Sequence, residues 1–341
     1  MHIPDGYLSP STSIVMYAAV APFWVRALQR VRGWVRGRRL PLVALFAAAS
    51  FVVMMFNVPL PGGTTGHAVG AVIAAIVLGP WDAVLAISAA LIIQALFFGD
   101  GGILAIGANC FNMAVVMPFV GYAVYRAIAG RSPLEAPRRI VAAAVAGYVG
   151  LNVAAFLTAL EFGIQPLLFH AADGTPLYAP YGLEVAIPAM MGGHLLIAGP
   201  VEAVLTGLVV AYLQRAHREL LDPAAQPVLE GQARKPVYIL WGILGLLILL
   251  SPLGLLATGT AWGEWGLDEI PGLSFIPAGM ERLSELWQAP IPDYAVPFLG
   301  EKVGYVVSAL LGVGATVLVL WLLGRLFEAP RRGTGQEETA G

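Results

Sequence analysis

The chain has 341 residues, of which 58% are hydrophobic and only 12% are charged, and its formal net charge is −2. Soluble domains carry about 25% charged residues, so this charge content is too low for a surface that faces water on all sides. The composition therefore excludes an ordinary soluble protein and predicts one whose main solvent is lipid. The sequence has no basic face with interleaved aromatic residues, so we expect no nucleic-acid partner.

Nine apolar segments are predicted to cross a membrane as helices, which indicates an all-α integral membrane fold. They cover roughly 11–27, 40–56, 67–79, 82–98, 103–125, 140–160, 185–213, 237–257 and 303–324. Residues 67–98 are divided into two passes, because one helix would be about 48 Å long and the hydrocarbon core is about 30 Å thick. We expect the break at Gly79-Pro80-Trp81, since proline removes a backbone hydrogen bond.

The basic residues predict the orientation of these segments. If the N-terminus lies outside, 17 of the 19 Lys and Arg residues fall in inner loops or the inner tail, and only Arg282 and Lys302 stay outside. Positive residues favour cytoplasmic loops. We therefore expect an extracytoplasmic N-terminus and a cytoplasmic C-terminus. The sequence shows no signal-peptide pattern, so Met1 is expected to be the mature N-terminus.

A break in composition predicts two membrane domains. Residues 1–213 form a seven-span domain, and the charged, proline-bearing stretch 214–236 is a cytoplasmic linker. Residues 237–330 form a two-span domain with an outer loop at about 258–302, and 331–341 form a cytoplasmic tail. The expected architecture is thus a seven-helix binding unit with a two-helix C-terminal appendage.

Histidine at position 2 predicts a metal chelate at the N-terminus. The terminal amine of Met1, the amide nitrogen of His2 and its Nδ1 atom can bind one ion in a five-membered and a six-membered ring. Three nitrogens then lie in a plane, which suits Ni(II) or Cu(II) better than Zn(II) or Mg(II).

His67 is the natural fourth ligand, because it follows a glycine-rich outer loop on the same side as the N-terminus. The alternative is that His2 is a chance residue in a frayed tail and His67 a helix-end histidine. The sequence Pro4-Asp5-Gly6 argues against a frayed tail, since it predicts a tight turn.

Three motifs in order resemble the CbiM/NikM family: MHIPDGYLSP at the N-terminus, VPLPGGTTGHAVG at 58–70 and QALFFGDGGILAIGANCFNMA at 94–114. That family supplies the substrate-binding membrane subunits of energy-coupling-factor transporters for cobalt and nickel in prokaryotic cell membranes. The resemblance implies a metal held by the Met1 amine, the His2 amide and imidazole, and the His67 imidazole. It also implies separate ATPase subunits and a coupling transmembrane protein as partners. The C-terminal part, which contains APIPDYAVPFLG, resembles a fused CbiN/NikN-type domain.

Other polar residues near membrane depth could support the site. Gln94, Asp100 and Asn109 are expected to orient a metal-binding imidazole, although interhelical hydrogen bonding is an equal alternative. His194 and Glu202 are two turns apart and share a helix face. We favour a structural or partner contact for them, with His194 as a further candidate ligand.

The missing motifs narrow the function. The sequence has no G-x-x-x-x-G-K-[ST] phosphate loop and no H-E-x-x-H pair, so we expect a transporter subunit and no enzyme. Its transported ligand is Ni²⁺ or Co²⁺, with no cofactor. The alternative is a stand-alone secondary metal transporter or channel, which would carry several carboxylates along its pathway. Only Glu202 lies clearly in mid-span.

Overall fold

The computed structural model describes residues 1–36, 39–60, 64–222, 234–257, 259–267, 269–270 and 275–327, with the backbone alone for 32–36 and 234–237. The tail predicted at 331–341 and residues 223–233 of the linker predicted at 214–236 lie outside these residues. The α-helices of the described chain are α1 (Pro10–Arg36), α2 (Leu40–Met54), α3 (Ala71–Leu78), α4 (Pro80–Ile93), α5 (Ile106–Asn109), α6 (Met117–Ala129), α7 (Pro137–Gly163), α8 (Gln165–Leu168), α9 (Leu183–Gly193), α10 (Gly199–Ala216), α11 (Arg234–Leu250), α12 (Ala278–Ser284) and α13 (Glu301–Leu326).

Seven helical segments of the described chain are long and apolar enough to cross a membrane. They are Pro10–Val31, Pro80–Phe98, Ile106–Ala129, Pro137–Leu168, Leu183–Ala216, Tyr238–Leu256 and Glu301–Leu326. The other two predicted segments, 40–56 and 67–79, form the shorter helices α2 and α3. The predicted all-α membrane fold is confirmed.

Helix α3 is short and lies at the centre of the protein. All eight of its residues are buried, and α4, α6, α7 and α10 pack around it. Eight residues rise only about 12 Å, so α3 by itself is too short to cross the hydrocarbon core. The chain breaks after α3 at Gly79, whose φ of 88° belongs to the left-handed region, and Pro80 then begins α4. The predicted break at Gly79-Pro80 is therefore confirmed, whereas the described residues form only one helix, Pro80–Phe98, long enough for a membrane pass in place of the two predicted for 67–98.

Three π-helical turns interrupt the long helices of the described chain. They cover Gln94–Phe98, Cys110–Val116 and His194–Ala198. The first and third begin at Gln94 and His194, two of the residues singled out from the sequence. Such turns occur often at functional sites, because they change the direction in which side chains leave the helix.

The connection between α2 and α3 contains a small hairpin. Strands β1 (Val58–Leu60) and β2 (Thr64–Gly66) pair antiparallel, with Val58 opposite Gly66. The hairpin directs the chain back to His67, from which residues 67–70 lead into α3.

The segment between α11 and α13 covers the end of the bundle at which the chain begins. The backbone amide of Ile291 donates to the carbonyl of Phe97 at 2.9 Å, and the indole of Trp287 donates to the carbonyl of Leu96 at 3.0 Å. This segment is thereby tied to the π-helical turn that follows α4. It lies close to the N-terminal residues described next.

Apolar side chains cover much of the outer surface of the helices. Large hydrophobic residues with high exposure include Leu196 and Leu208 in the Leu183–Ala216 segment and Leu326 at the end of α13. Water would penalise such a surface, whereas lipid chains solvate it without cost. The fold therefore matches the lipid environment that the composition predicts.

Candidate metal-binding site

The first residues of the chain lie inside the protein. Met1, His2 and Ile3 are 4%, 1% and 0% exposed. Because these residues belong to no helix or strand, other segments must satisfy their backbone groups. The amide of Ile3 donates to Oδ1 of Asn109 at 2.8 Å, and its carbonyl accepts from the amide of Gly102 at 2.8 Å. The N-terminus is thus an anchored element, and the alternative of a frayed tail is wrong.

A tight turn follows these residues, as the sequence predicts. Gly6 has a φ of 90°, which a side chain would strain, and a Cβ there would also meet the backbone of Met280. The carboxylate of Asp5 accepts from the amides of Ile103 (2.9 Å) and Leu104 (2.8 Å). The turn therefore attaches the N-terminal segment to the loop before α5.

The fold brings His2 and His67 together. Their rings stack with centroids 5.0 Å apart and planes inclined by 29°. Nδ1 of His67 lies 3.0 Å from the carbonyl oxygen of Ala68, so that nitrogen is engaged by the backbone and Nε2 remains for another partner. Two imidazoles separated by 65 residues in the sequence thus share one buried location.

Both ring nitrogens of His2 are buried and neither has a hydrogen-bond partner among the described residues. Oδ1 of Asp100 lies 2.5 Å from Nδ1, yet the geometry of this contact is not that of a hydrogen bond. The terminal amine of Met1, by contrast, donates a hydrogen bond to Oε1 of Glu264, from the loop after α11. Buried polar nitrogens without proper partners are costly, so the arrangement favours a further ligand at this position.

The three residues proposed to orient an imidazole occupy different positions. Asp100 contacts His2 directly and also accepts a hydrogen bond from the hydroxyl of Tyr294 at 2.5 Å. Gln94 donates to that hydroxyl (3.0 Å) and to Asp100 Oδ2 (3.4 Å), so it reaches His2 through Asp100. Asn109 makes two hydrogen bonds to the backbone of Ile3. Its Oδ1 accepts from the amide of Ile3, and its Nδ2 donates to the carbonyl of Ile3. Asn109 therefore holds in place the backbone that directly follows His2.

The charges around Asp100 act on its ionisation. Burial by itself raises the pKa of this carboxyl group, but the neighbouring imidazoles of His2 and His67 and the hydroxyl of Tyr294 outweigh burial. The net effect holds the pKa of Asp100 below its usual range. The carboxylate of Asp100 is therefore charged at neutral pH.

His194 lies beside the site without contacting the two rings. Its Nδ1 is 2.8 Å from the carbonyl oxygen of Met190, one turn earlier. It shares with Met1 a cavity of about 490 Å³ whose other walls include Trp262 and Trp265. His194 thus lines the same cavity as Met1, at the residue where the π-helical turn begins.

A family model for the cobalt uptake substrate-specific transmembrane region matches residues 2–220, more than half of the chain. The chain belongs to this family. A second family model, the PDGLE domain, matches residues 236–329 of the same chain. The resemblance inferred from the three sequence motifs is therefore confirmed.

Relatives of this cobalt-uptake family member transport metals. The fused nickel transport protein NikMN of Rhodobacter capsulatus is 52% identical, and the match covers 97% of this chain and 99% of that protein. The probable fused nickel transport protein LarMN of Lactiplantibacillus plantarum is 44% identical over 94% of this chain and 96% of that protein. The crystal structure of a transition metal transporter aligns with a TM-score of 0.60 at 52% identity, covering 69% of this chain and 100% of that one. These relatives are transport proteins, in agreement with the transporter that the sequence predicts.

In this family member Glu202 binds the backbone near His67, a role that the sequence did not reveal. Its carboxylate accepts from the amide of Val69 at 2.8 Å and from the amide of Gly70 at 3.1 Å, and it is fully buried. These amides precede α3 and follow His67 directly, so Glu202 holds the segment that carries His67. A carboxylate in mid-span signals a functional position, but its backbone partners lie 132 and 133 residues away in the sequence.

Glu161, near the C-terminal end of α7, is another buried carboxylate. The sequence interpretation placed only Glu202 clearly in mid-span. Glu161 accepts from Nδ2 of Asn112 at 2.9 Å. Gln165, one turn later, accepts from the amide of Ser9 at 3.0 Å. The start of α8 therefore contacts the N-terminal segment, while the Glu161 side chain at the end of α7 bonds Asn112, away from His67.

The substitution Glu202→Gln is expected to weaken metal binding about tenfold, within the range of about 10–100-fold seen when partners behind metal ligands are lost. The amide group keeps one acceptor oxygen and directs donors at the amides of Val69 and Gly70. The measurement is a Ni(II) titration of the purified protein. Glu161→Gln, which also neutralises a buried carboxylate, is the matched control and should retain the affinity. Equal affinities for both variants and the unmodified protein would contradict the positioning role.

Proposed function

We propose that this chain is the metal-binding membrane subunit of an energy-coupling-factor transporter that takes up Ni²⁺, or Co²⁺. The ion is held by the Met1 amine, the His2 amide nitrogen, His2 Nδ1 and the imidazole of His67. The observation that carries this proposal is the buried N-terminus, which places the His2 ring on the His67 ring. The family match and the fused nickel transport relatives support the same assignment.

The separation of the two rings supports a shared ion. In the proposed chelate the amide is the middle donor, so the fourth ligand stands opposite the amide and at a right angle to the His2 imidazole. With metal–nitrogen bonds of about 2.0 Å, a ring centroid lies about 3 Å from the ion, and two rings at a right angle are about 4.5 Å apart. The observed centroid separation is 5.0 Å. A small approach of the rings would complete the site.

Four nitrogens in a plane favour Ni(II) over metals that prefer tetrahedral or oxygen coordination. The same nitrogens also bind Co(II), so the donor set leaves the choice between nickel and cobalt open. The family model is that of a cobalt-uptake region, whereas the two fused relatives are nickel transport proteins. The planar geometry and the fused relatives favour nickel.

The proposed orientation places the site on the outer side of the cell membrane of a prokaryote. The ion pair between Arg39, before α2, and Asp82, in α4, joins helix ends that lie opposite the metal site. Arg39 belongs to the inner loops in the orientation that the basic residues predict. The ion then enters from outside, the C-terminus is cytoplasmic, and the PDGLE match at 236–329 covers the fused accessory domain.

Separate ATPase subunits and a coupling membrane protein would drive release of the ion, since the sequence lacks a phosphate loop. The test reconstitutes the purified chain in liposomes and measures uptake of Ni²⁺. We expect uptake only after co-reconstitution with the ATPase and coupling subunits and with ATP. Uptake by the chain alone under an ion gradient would instead establish a secondary transporter or channel.

The affinity for Ni²⁺ is expected to fall as the pH is lowered. Protons compete with the metal for the donor nitrogens, although burial and the neighbouring His2 lower the pKa of His67 to about 3, so this ring holds no proton to displace above pH 5. The metal displaces the protons that the other donors carry, so the affinity drops about tenfold per pH unit for each displaced proton. The measurement is the apparent Kd between pH 8 and pH 5. A constant Kd over this range would mean that carboxylates such as Asp100 carry the site.

A further inference from the structure

Two carboxylates contact the two outer donors of the proposed chelate. Glu264 pairs with the Met1 amine, and Asp100 lies against Nδ1 of His2. Ligand atoms of His2, Asp100 and Glu264 all lie within 4.8 Å of one another. Since the His2 ring is 1% exposed and its nitrogens have no hydrogen-bond partner, this cluster is more than a set of surface acids.

The position of Asp100 differs from that of an orienting partner. A carboxylate that orients a metal-binding imidazole bonds the ring nitrogen that does not bind the metal. Asp100 instead lies against Nδ1, the nitrogen that the four-nitrogen site requires. Both carboxylates must therefore separate from these nitrogens when the four-nitrogen site is filled.

Glu264 also belongs to a second, acidic cavity. This cavity of about 460 Å³ is lined by four carboxylate residues, Asp5, Glu264, Glu269 and Asp293. Its walls come from the N-terminal turn, from the loop after α4 and from the segment between α11 and α13. We refer to it as the acidic vestibule. Of its four carboxylates, Glu264 is the one that the described structure places against the Met1 amine.

We propose that His2, Asp100 and Glu264 form a loading site for a hydrated divalent cation, which shares His2 with the four-nitrogen site, differs from it in its two carboxylate ligands and is filled before it. This inference rests on the proposed function. The vestibule attracts the cation through its carboxylates, and Glu264 transfers it from the vestibule to the cluster. Carboxylate oxygens suit hydrated cations, while imidazole suits nickel and cobalt. A site with both ligand types can therefore bind the ion before it moves to the four-nitrogen site.

The loading site depends on both parts of the chain. Asp100 lies in the loop between α4 and α5, whereas Glu264 lies between α11 and α13, within the residues matched by the PDGLE model. The C-terminal part thus supplies a cation ligand that the first 220 residues lack at this position. Its contribution is to the rate at which the site fills, because Glu264 is no member of the four-nitrogen set.

The test compares Glu264→Gln with Glu269→Gln in the full-length purified protein. Ni²⁺ is mixed rapidly with each variant, and the visible absorption of the bound ion gives the rates of filling and release. Both substitutions remove one negative charge from the vestibule, but among the described residues the Glu269 carboxylate accepts from Thr260 and from the amide of Gly266, away from the cluster. We expect Glu264→Gln to fill about tenfold more slowly, in the range of electrostatic effects on association, with an unchanged final spectrum and release rate. Glu269→Gln should be slowed several times less.

Three outcomes would overturn the loading site. Equal slowing by the two variants would mean that only the general field of the vestibule acts. A changed spectrum or faster release in Glu264→Gln would make Glu264 a ligand of the final site. An unchanged filling rate in Glu264→Gln would remove any role in loading.

A second pair of variants covers the case in which Glu264→Gln fails to fold. Glu264→Asp retracts the carboxylate by one methylene group, so filling should slow relative to Glu269→Asp. Failure of the proposed function itself would look different, because the unmodified protein would then lack the absorption of nickel bound to four nitrogens.

Discussion

Adding one or two residues before Met1 is expected to weaken Ni²⁺ binding by more than 100-fold. The extension replaces the terminal amine by an amide and moves His2 to position 3 or 4, which destroys both chelate rings. Loss of a residue behind a metal ligand costs about 10–100-fold, and here a ligand and the chelate geometry are lost together. The structure adds a steric reason, since Met1 is 4% exposed and its amine pairs with Glu264.

The control carries the same one or two added residues after Gly341, so that its N-terminus stays free. The measurement is a Ni²⁺ titration with thermal unfolding of each protein in detergent, so that loss of binding is separated from loss of fold. Full affinity in the N-terminally extended protein would eliminate the N-terminal chelate. The ion would then have to be held by His67 and the carboxylates.

His67→Ala should weaken Ni²⁺ binding by about 100-fold, more than the loss of most residues behind metal ligands. Water would replace the imidazole as the fourth ligand. Because water gives a weaker ligand field than imidazole, the visible absorption of the bound ion should shift to longer wavelength. The measurement is titration followed by both affinity and absorption spectrum.

Two other histidines provide the controls for His67→Ala. His170 is exposed, with Nδ1 3.1 Å from the carbonyl oxygen of Ala171, so His170→Ala should change neither affinity nor spectrum. His194→Ala should leave the spectrum intact, although it alters the cavity beside Met1. A changed spectrum in His194→Ala together with an unchanged one in His67→Ala would show that the fourth ligand was assigned wrongly.

The proposed loading site and the proposed four-nitrogen site are expected to respond differently to substitutions. The N-terminal extension and His67→Ala act on the final affinity and on the spectrum. Glu264→Gln acts on the filling rate alone. Glu202→Gln acts through the segment that carries His67 and therefore changes affinity without removing a ligand. The four results together distinguish ligands, positioning residues and loading residues.

The sequence by itself determined the membrane architecture and the chemistry of the N-terminus. Apolar segments long enough to cross lipid follow directly from composition, because a helix is the element that satisfies its own backbone bonds in a membrane. The break at Gly79-Pro80 follows from proline geometry, and the turn at Gly6 from the freedom of glycine. The N-terminal chelate follows from covalent spacing, since three of its donors belong to two adjacent residues.

The tertiary structure decided how these donors are held. Nothing in the spacing along the chain shows that Asn109 binds Ile3, that Glu202 holds the amides after His67, or that Glu264 reaches the Met1 amine. Each of these contacts joins residues more than 100 positions apart. Local propensity carries no information on such pairs, because they depend on how whole helices and loops pack. The sequence therefore predicts which atoms would bind a metal, whereas only the packing shows which side chains hold those atoms in place and which carboxylates lie against them.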